Sequence, residues 1–208
     1  MLLSVPMSLR DVVDLRLKSR VVAGRHRRAA TALVALAGLV VSASASFAPR
    51  SPARSGGSAA APSASGYPLQ LQRHPARLAL LPSFRQWAAV SGVPANLLEA
   101  MTWMESGWQN GVVSSTGAIG IGQLEPSTVR FITTNLVRAR LDPHRPDDNV
   151  RMSAAYLAWL LRHTGGRVDL ALGGYYQGLG SVERRGLLPE TRRYVAVIEL
   201  LRRSFGAR

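Results

Sequence analysis

Apolar residues recur at helical spacing through the last two thirds of the chain, separated by glycine and proline punctuation. Leu78, Leu81, Phe84, Trp87 and Ala88 share one face, with Pro82 at the start of the helix proper and Ser91-Gly92 at its end. Val93-Pro94 opens the next helix, where proline suits the first turn. Its stripe is Leu97, Leu98, Met101 and Met104, and Gly107 is its terminator. Five glycines between 107 and 122 then break the pattern. Asp147-Asp148 opens a third helix with Met152, Tyr156, Leu157 and Leu160 inward, closed by Gly165-Gly166. A short helix is predicted from Asp169 to Tyr176. A last amphipathic one is predicted from Glu190 to Phe205, with Tyr194, Val197, Ile198 and Leu201 inward. The fold class is all-α, with at most a minimal β-hairpin within 112–124.

The first third of the chain reads differently. Arg25-His26-Arg27-Arg28 precedes an apolar stretch that runs uncharged from Ala29 to Val41, and Ala43-Ser44-Ala45 fits a small-x-small cleavage pattern. A basic cluster, an apolar core and small residues make an export signal. The same stretch, extended to Ala48, is just long enough to serve instead as a membrane anchor. Either way the cluster stays inside and the C-terminal part is placed outside. The segment that follows is almost entirely Ser, Ala, Pro and Gly, with too little apolar area to offset ordering entropy. The expected organisation is an export signal or anchor at 1–45, a flexible linker at 46–66 and one folded domain at 67–208.

Composition narrows the chemistry. With 208 residues, 47% of them hydrophobic, the chain has enough apolar side chains for a real core. It has no cysteine, which removes disulfides, thiolate metal sites and cysteine nucleophiles. His26, His74, His144 and His163 show no ligand spacing, so neither a metal nor another cofactor is expected. The formal charge of +14 favours a polyanionic partner: nucleic acid, an anionic membrane or an acidic wall polymer. Residues 1–66 carry nine basic and two acidic side chains, and residues 67–208 carry seventeen and ten, so half the excess lies outside the expected domain. Zinc-finger spacing, an RNP-like aromatic pattern and a basic heptad extension are all missing, and nucleic acid is set aside as a partner.

Glu105 is the candidate for chemistry. It ends an apolar helix beside Trp103, Met104 and Trp108, just before the glycine-rich stretch. Apolar surroundings bias a carboxyl group toward its neutral form, and a neutral carboxylic acid can protonate a glycosidic oxygen. From Glu105-Ser106 through Trp108, Ser114, Gly117-Ala118-Ile119-Gly120-Ile121-Gly122-Gln123 and Pro126-Ser127-Thr128, the sequence resembles the soluble lytic transglycosylase family. Ile121 stands where that family has Leu. The run Gly117, Gly120, Gly122 lacks the strand and fingerprint of a phosphate loop. Two further blocks extend the resemblance to about residues 82–204. They are Asp148-Asn149-Val150 with Ala154-Ala155-Tyr156-Leu157, and Ala171 to Gly180 followed by Thr191 and Tyr194-Val195. Tyr176 and Gln177 depart from the Asn and Ala that the family places after its tyrosine.

The resemblance implies a lysozyme-like transglycosylase domain acting on peptidoglycan glycan strands, as a monomer and without cofactor. It implies cleavage between N-acetylmuramic acid and N-acetylglucosamine with closure of a 1,6-anhydro ring. Glu105 would serve as acid and then as base. Tyr175 would hydrogen-bond Glu105, and Gln123 would border the groove. Ser106 would either contact the substrate or fix the turn after the glutamate. Tyr194 would belong to the core or to the groove, and Trp108 to the core. Tyr176 would re-line the groove with its ring against a sugar face, and the Gln177 amide would replace that of the missing Asn. Glu125, nearest in sequence, is the acid to check as a second carboxylate, since ordinary glycosidases use two. The competing readings are a goose-type lysozyme-like hydrolase of the same bond, a wall-binding module without catalysis, and a cationic membrane-active protein. The last of these is disfavoured by the dispersed charge and apolar helices.

Overall fold

The computed structural model describes residues 67–205, so the export segment and linker expected for 1–66 lie outside the described residues. Two short turns of helix, α1 (Leu69–Gln72) and α2 (Pro75–Leu78), lead into α3 (Leu81–Ser91) and α4 (Ala95–Ser106). After an irregular stretch come α5 (Pro126–Phe131) and a π-helical turn (Ile132–Leu136) that continues it. The long α6 (Pro146–His163) is followed by α7 (Val168–Gln177), α8 (Leu179–Arg185) and α9 (Pro189–Ser204). The helices expected from periodicity appear within a residue or two of their predicted ends. The segments 126–136 and 179–185 were not predicted as helical.

The boundaries have local causes. Gly92 and Gly107 end α3 and α4 in the left-handed region, at φ 67° and 63°, where a side chain would be strained. Proline sits in the first turn of α3, α5, α6 and α9, where its missing N–H costs no helix hydrogen bond. Asp147 and Asp148 in the first turn of α6, with Arg162 and His163 in its last, complement the helix dipole.

Helix α4 is central: it packs against α3, α6 and α9, which explains why every residue from Leu97 to Trp103 is buried. Around it lies a core that includes Phe84, Leu98, Met101, Trp108, Leu157 and Ile198. A smaller cluster of Leu124, Ile132 and Met152 seats the 126–136 arm on α6. On α9 the buried face is Thr191, Tyr194, Val195 and Ile198, so Val195 takes the inward place expected of Val197. The hairpin expected within 112–124 is reduced to two isolated antiparallel bridges, Val113 to Ile119 and Ile119 to Leu124.

Candidate active site

Glu105 occupies the last turn of α4 and is only 6% exposed. The irregular segment that follows is tied back to the end of α4 and to α6 by side-chain hydrogen bonds. The Ser106 hydroxyl donates to the Ile121 carbonyl oxygen at 2.9 Å and accepts from the Gln109 amide at 3.1 Å. Ser106 therefore fixes the turn after the glutamate. Gln123, at φ 48° and 7% exposed, donates through Nε2 to the carbonyl oxygens of Val112 and Gly120. That amide nitrogen braces the loop from inside.

Asn149, fully buried on α6, holds the same loop from outside. Its Oδ1 accepts from the Gly122 amide at 2.8 Å, while Nδ2 donates to the carbonyl oxygens of Ile119 and Pro143. Two glycines make the approach feasible. A Cβ on Gly120 would lie 2.4 Å from Asn149 Nδ2, and one on Gly122 would lie 1.9 Å from Ser153 Oγ and 2.8 Å from the Tyr175 hydroxyl. The glycine spacing read in the sequence is thus a steric requirement of loop against helix.

Two tyrosines from distant helices complete the site. The Tyr194 hydroxyl, from α9, donates to Glu105 Oε1 at 2.5 Å within a buried environment. The Tyr175 hydroxyl, at the end of α7, donates to the Gly122 carbonyl oxygen at 2.8 Å. Tyr176 stacks on Tyr194, with ring centroids 4.5 Å apart and planes inclined by 21°. Glu105 is thus a buried carboxyl group held by a phenolic hydroxyl. Such a group can give up a proton and take it back.

Gln177 is not placed as the sequence suggested. Its Oε1 accepts from Thr191 Oγ1 at 2.7 Å and the Leu188 amide at 3.1 Å. Its Nε2 donates to Ser181 Oγ at 2.9 Å and the Gly186 carbonyl oxygen at 3.0 Å. Two donors and two acceptor positions are all an amide has, so nothing is left over for a sugar. Trp108 belongs to the core as expected: its ring packs on Phe84, and its Nε1 donates to the Glu99 carbonyl oxygen and to Thr102 Oγ1. Glu125 accepts from Thr116 Oγ1 at 2.7 Å and so ties the outer part of the loop.

Sequence reasoning passed over Glu99, which is 3% exposed on the same helix as Glu105. Burial pushes its carboxyl from an ordinary 4.5 up to about 7, against the pull of the Arg85 guanidinium. The signal was available, since Leu97, Leu98, Ala100 and Met101 surround it in sequence. Six residues of α-helix turn through roughly 600° and rise about 9 Å, so Glu99 leaves α4 on a face about 120° away from Glu105. The roles of Asn149 and of Tyr194 toward Glu105 were also missed, because partners 27 and 89 residues apart leave no spacing to read.

The family model for the transglycosylase SLT domain matches residues 82–194, and the chain belongs to that family. An endo-type membrane-bound lytic murein transglycosylase A of Klebsiella pneumoniae is 36% identical over 87 residues. The match covers 36% of this chain and 43% of the relative, so the chain spans less than half the length of the curated relative it matches. The fold is similar to that of an inactive mutant of lytic transglycosylase Slt from Pseudomonas aeruginosa. There the TM-score is 0.55 and the identity 24%, over 58% of this chain and 23% of that one. The 70 kDa soluble lytic transglycosylase of Escherichia coli gives a TM-score of 0.54 at 20% identity, over 60% and 23%. The all-α, lysozyme-like fold expected from the sequence is the one observed.

Proposed function

We propose that the chain is a peptidoglycan lytic transglycosylase, a lyase acting on the bond between N-acetylmuramic acid and N-acetylglucosamine. The observation that carries this reading is the buried Glu105 carboxyl at the end of α4, bonded to Tyr194 and followed directly by Ser106, which holds the Ile121 carbonyl oxygen of the glycine-rich loop. Glu105 gives its proton to the glycosidic oxygen as the bond from the muramyl anomeric carbon breaks. The muramyl C6 hydroxyl then attacks that carbon and returns its proton to Glu105. One carbon–oxygen bond breaks and one forms, no water is consumed, and the glutamate ends as it began. A single carboxyl suffices because the nucleophile is part of the substrate. Glu99 diverges on the helix, and Glu125 is engaged with Thr116, so neither is set to activate a water.

The substrate-facing residues in this reading are Ser106, Gln123, Tyr175, Tyr176 and Tyr194, together with the loop they brace. The enzyme acts in the cell envelope or outside the cell as a monomer, delivered or anchored by residues 1–45 and held off by the linker at 46–66. Among the described residues no helix is long and apolar enough to cross a membrane.

The test is product chemistry on purified cell wall. Wild-type protein is expected to release muropeptides with 1,6-anhydro ends, one water lighter than reducing ends. Glu105→Gln keeps the shape but lacks the transferable acid proton, and activity is expected to fall at least ~10²–10⁴-fold. Reducing ends alone would make the protein a hydrolase of the lysozyme type. Full activity in Glu105→Gln would remove the site.

A further inference from the structure

The last turn of α7 presents three consecutive side chains, and each holds a different part of the site. Tyr175 holds the loop carbonyl of Gly122, Tyr176 lies against the ring of Tyr194, and Gln177 bonds to the start of α9. Gln177 fastens three segments together: Ser181 on α8, Gly186 and Leu188 in the turn, and Thr191 on α9. Thr191 is fully buried and lies three residues before Tyr194, so the two share one helix face, a turn apart. Fixing Thr191 therefore fixes where Tyr194 leaves the helix. The stacked Tyr176 ring then limits how the phenol can tilt. Close packing supports the same junction, since a Cβ on Gly173 would lie 2.2 Å from the Leu187 side chain and 3.5 Å from that of Thr191.

We propose that Tyr176 and Gln177 act as a pair of positioning residues, holding α9 and the Tyr194 ring so that the Tyr194 hydroxyl meets Glu105. The two departures from the family pattern in this block are thereby one device: Gln177 sets the helix and Tyr176 sets the ring. The catalytic consequence rests on Glu105 being the acid and base of the proposed function, whereas the positioning itself does not.

The experiment uses the full chain and two readouts. The first is the titration of the Glu105 carboxyl, followed by 13C NMR on glutamate-labelled protein and assigned by its loss in Glu105→Gln. Removing the Tyr194 hydroxyl in Tyr194→Phe takes a donor from the carboxylate, so the midpoint is expected to rise by roughly one to two pH units. Tyr176→Asn and Gln177→Ala are expected to shift it the same way. Neither should shift it further in the Tyr194→Phe background, because each acts through that hydroxyl. Glu99 shares α4 and its signal, moved separately by Glu99→Gln, is the internal control.

The second readout is turnover of purified wall. Tyr176→Asn and Gln177→Ala are expected to lower kcat about ten- to a hundredfold with little change in KM, since a misaligned acid slows chemistry more than binding. Tyr176→Phe keeps the stack and should recover most of the kcat lost in Tyr176→Asn. An unmoved Glu105 midpoint in both Tyr176→Asn and Gln177→Ala, or shifts that add fully to that of Tyr194→Phe, would overturn the positioning role. A wild-type protein that turns over no wall would sink the proposed function while the titration still decides the positioning.

Discussion

Glu99 and Glu105 are carried by one helix and both are buried, yet it is Glu105 whose carboxyl accepts from Tyr194, one residue before the Ser106 that ties down the loop. Glu99 should announce itself in stability. Its folded-state value of about 7 exceeds the 4.5 of an ordinary glutamate, so the folded protein binds this proton more tightly than the unfolded chain. The stabilising contribution is fully present below about pH 4.5 and is lost as pH rises through about 7. Glu99→Gln does not titrate, so its stability relative to wild type should improve by up to about 3 kcal/mol between pH 4.5 and pH 8. Urea melts at those two pH values measure this, and curves that stay parallel would contradict the buried-acid reading. Gly122 yields a steric prediction at the same scale. Gly122→Ala drives a methyl into Ser153 Oγ and should destabilise the loop, and Ser153→Gly should recover part of the loss in thermal melts.

Helix α6 holds the irregular segment in place, through the hydrogen bonds of Asn149 and through the packing of Leu124 with Met152. Asn149→Ala strands the Gly122 amide and the Pro143 carbonyl oxygen and leaves the Ile119 carbonyl oxygen with the Leu124 amide alone, so stability should fall by about 1–3 kcal/mol. Hydrogen exchange should accelerate at Gly122 while α9 amides stay protected, and uniform protection would refute the clamp. The 126–136 arm shows what element-level pattern does not reveal. Thr133 Oγ1 bonds back to the Val129 and Arg130 carbonyl oxygens, and Asn135 Nδ2 donates to that of Phe131. Side chains that compete for backbone acceptors disturb the regular ladder. The chain widens there into a π turn closed by the Val137 amide to the Ile132 carbonyl oxygen. Thr-Thr-Asn reads as loop composition in sequence, which is why no helix was expected.

Across the described domain, an aromatic knot joins the first and last described residues to the centre: Tyr67 meets Phe205, and Phe205 meets Trp103 and Trp108. Trp108→Ala should cost roughly 3–5 kcal/mol, read as a lowered denaturant midpoint, because a buried indole leaves a cavity the helices cannot fill. The net charge of +14 should appear in wall binding rather than in folding. Retention on purified wall is expected to fall with added salt while the unfolding midpoint changes little. Deleting residues 25–45 should leave the protein in the cytoplasm, and unchanged export would discard the leader assignment.

Much of this protein was determined by local sequence. Periodicity and glycine–proline punctuation set the long helices, because a helix needs only its own backbone bonds and one apolar face. The Glu105-Ser106 pair, the glycines and Gln123 marked the site, since they lie within one contiguous stretch whose residue types suit a close backbone approach. Tertiary structure alone decided the rest. It chose Tyr194 as the donor to Glu105, Asn149 as the clamp on the loop, and Gln177 as a brace instead of a sugar ligand. It also set Glu99 in a buried place that shifts its proton. These are contacts between segments far apart in the chain, and no spacing rule encodes them. They exist only once α4, α6, α7 and α9 have packed, because packing brings the side chains within hydrogen-bond reach and excludes the water that would otherwise compete.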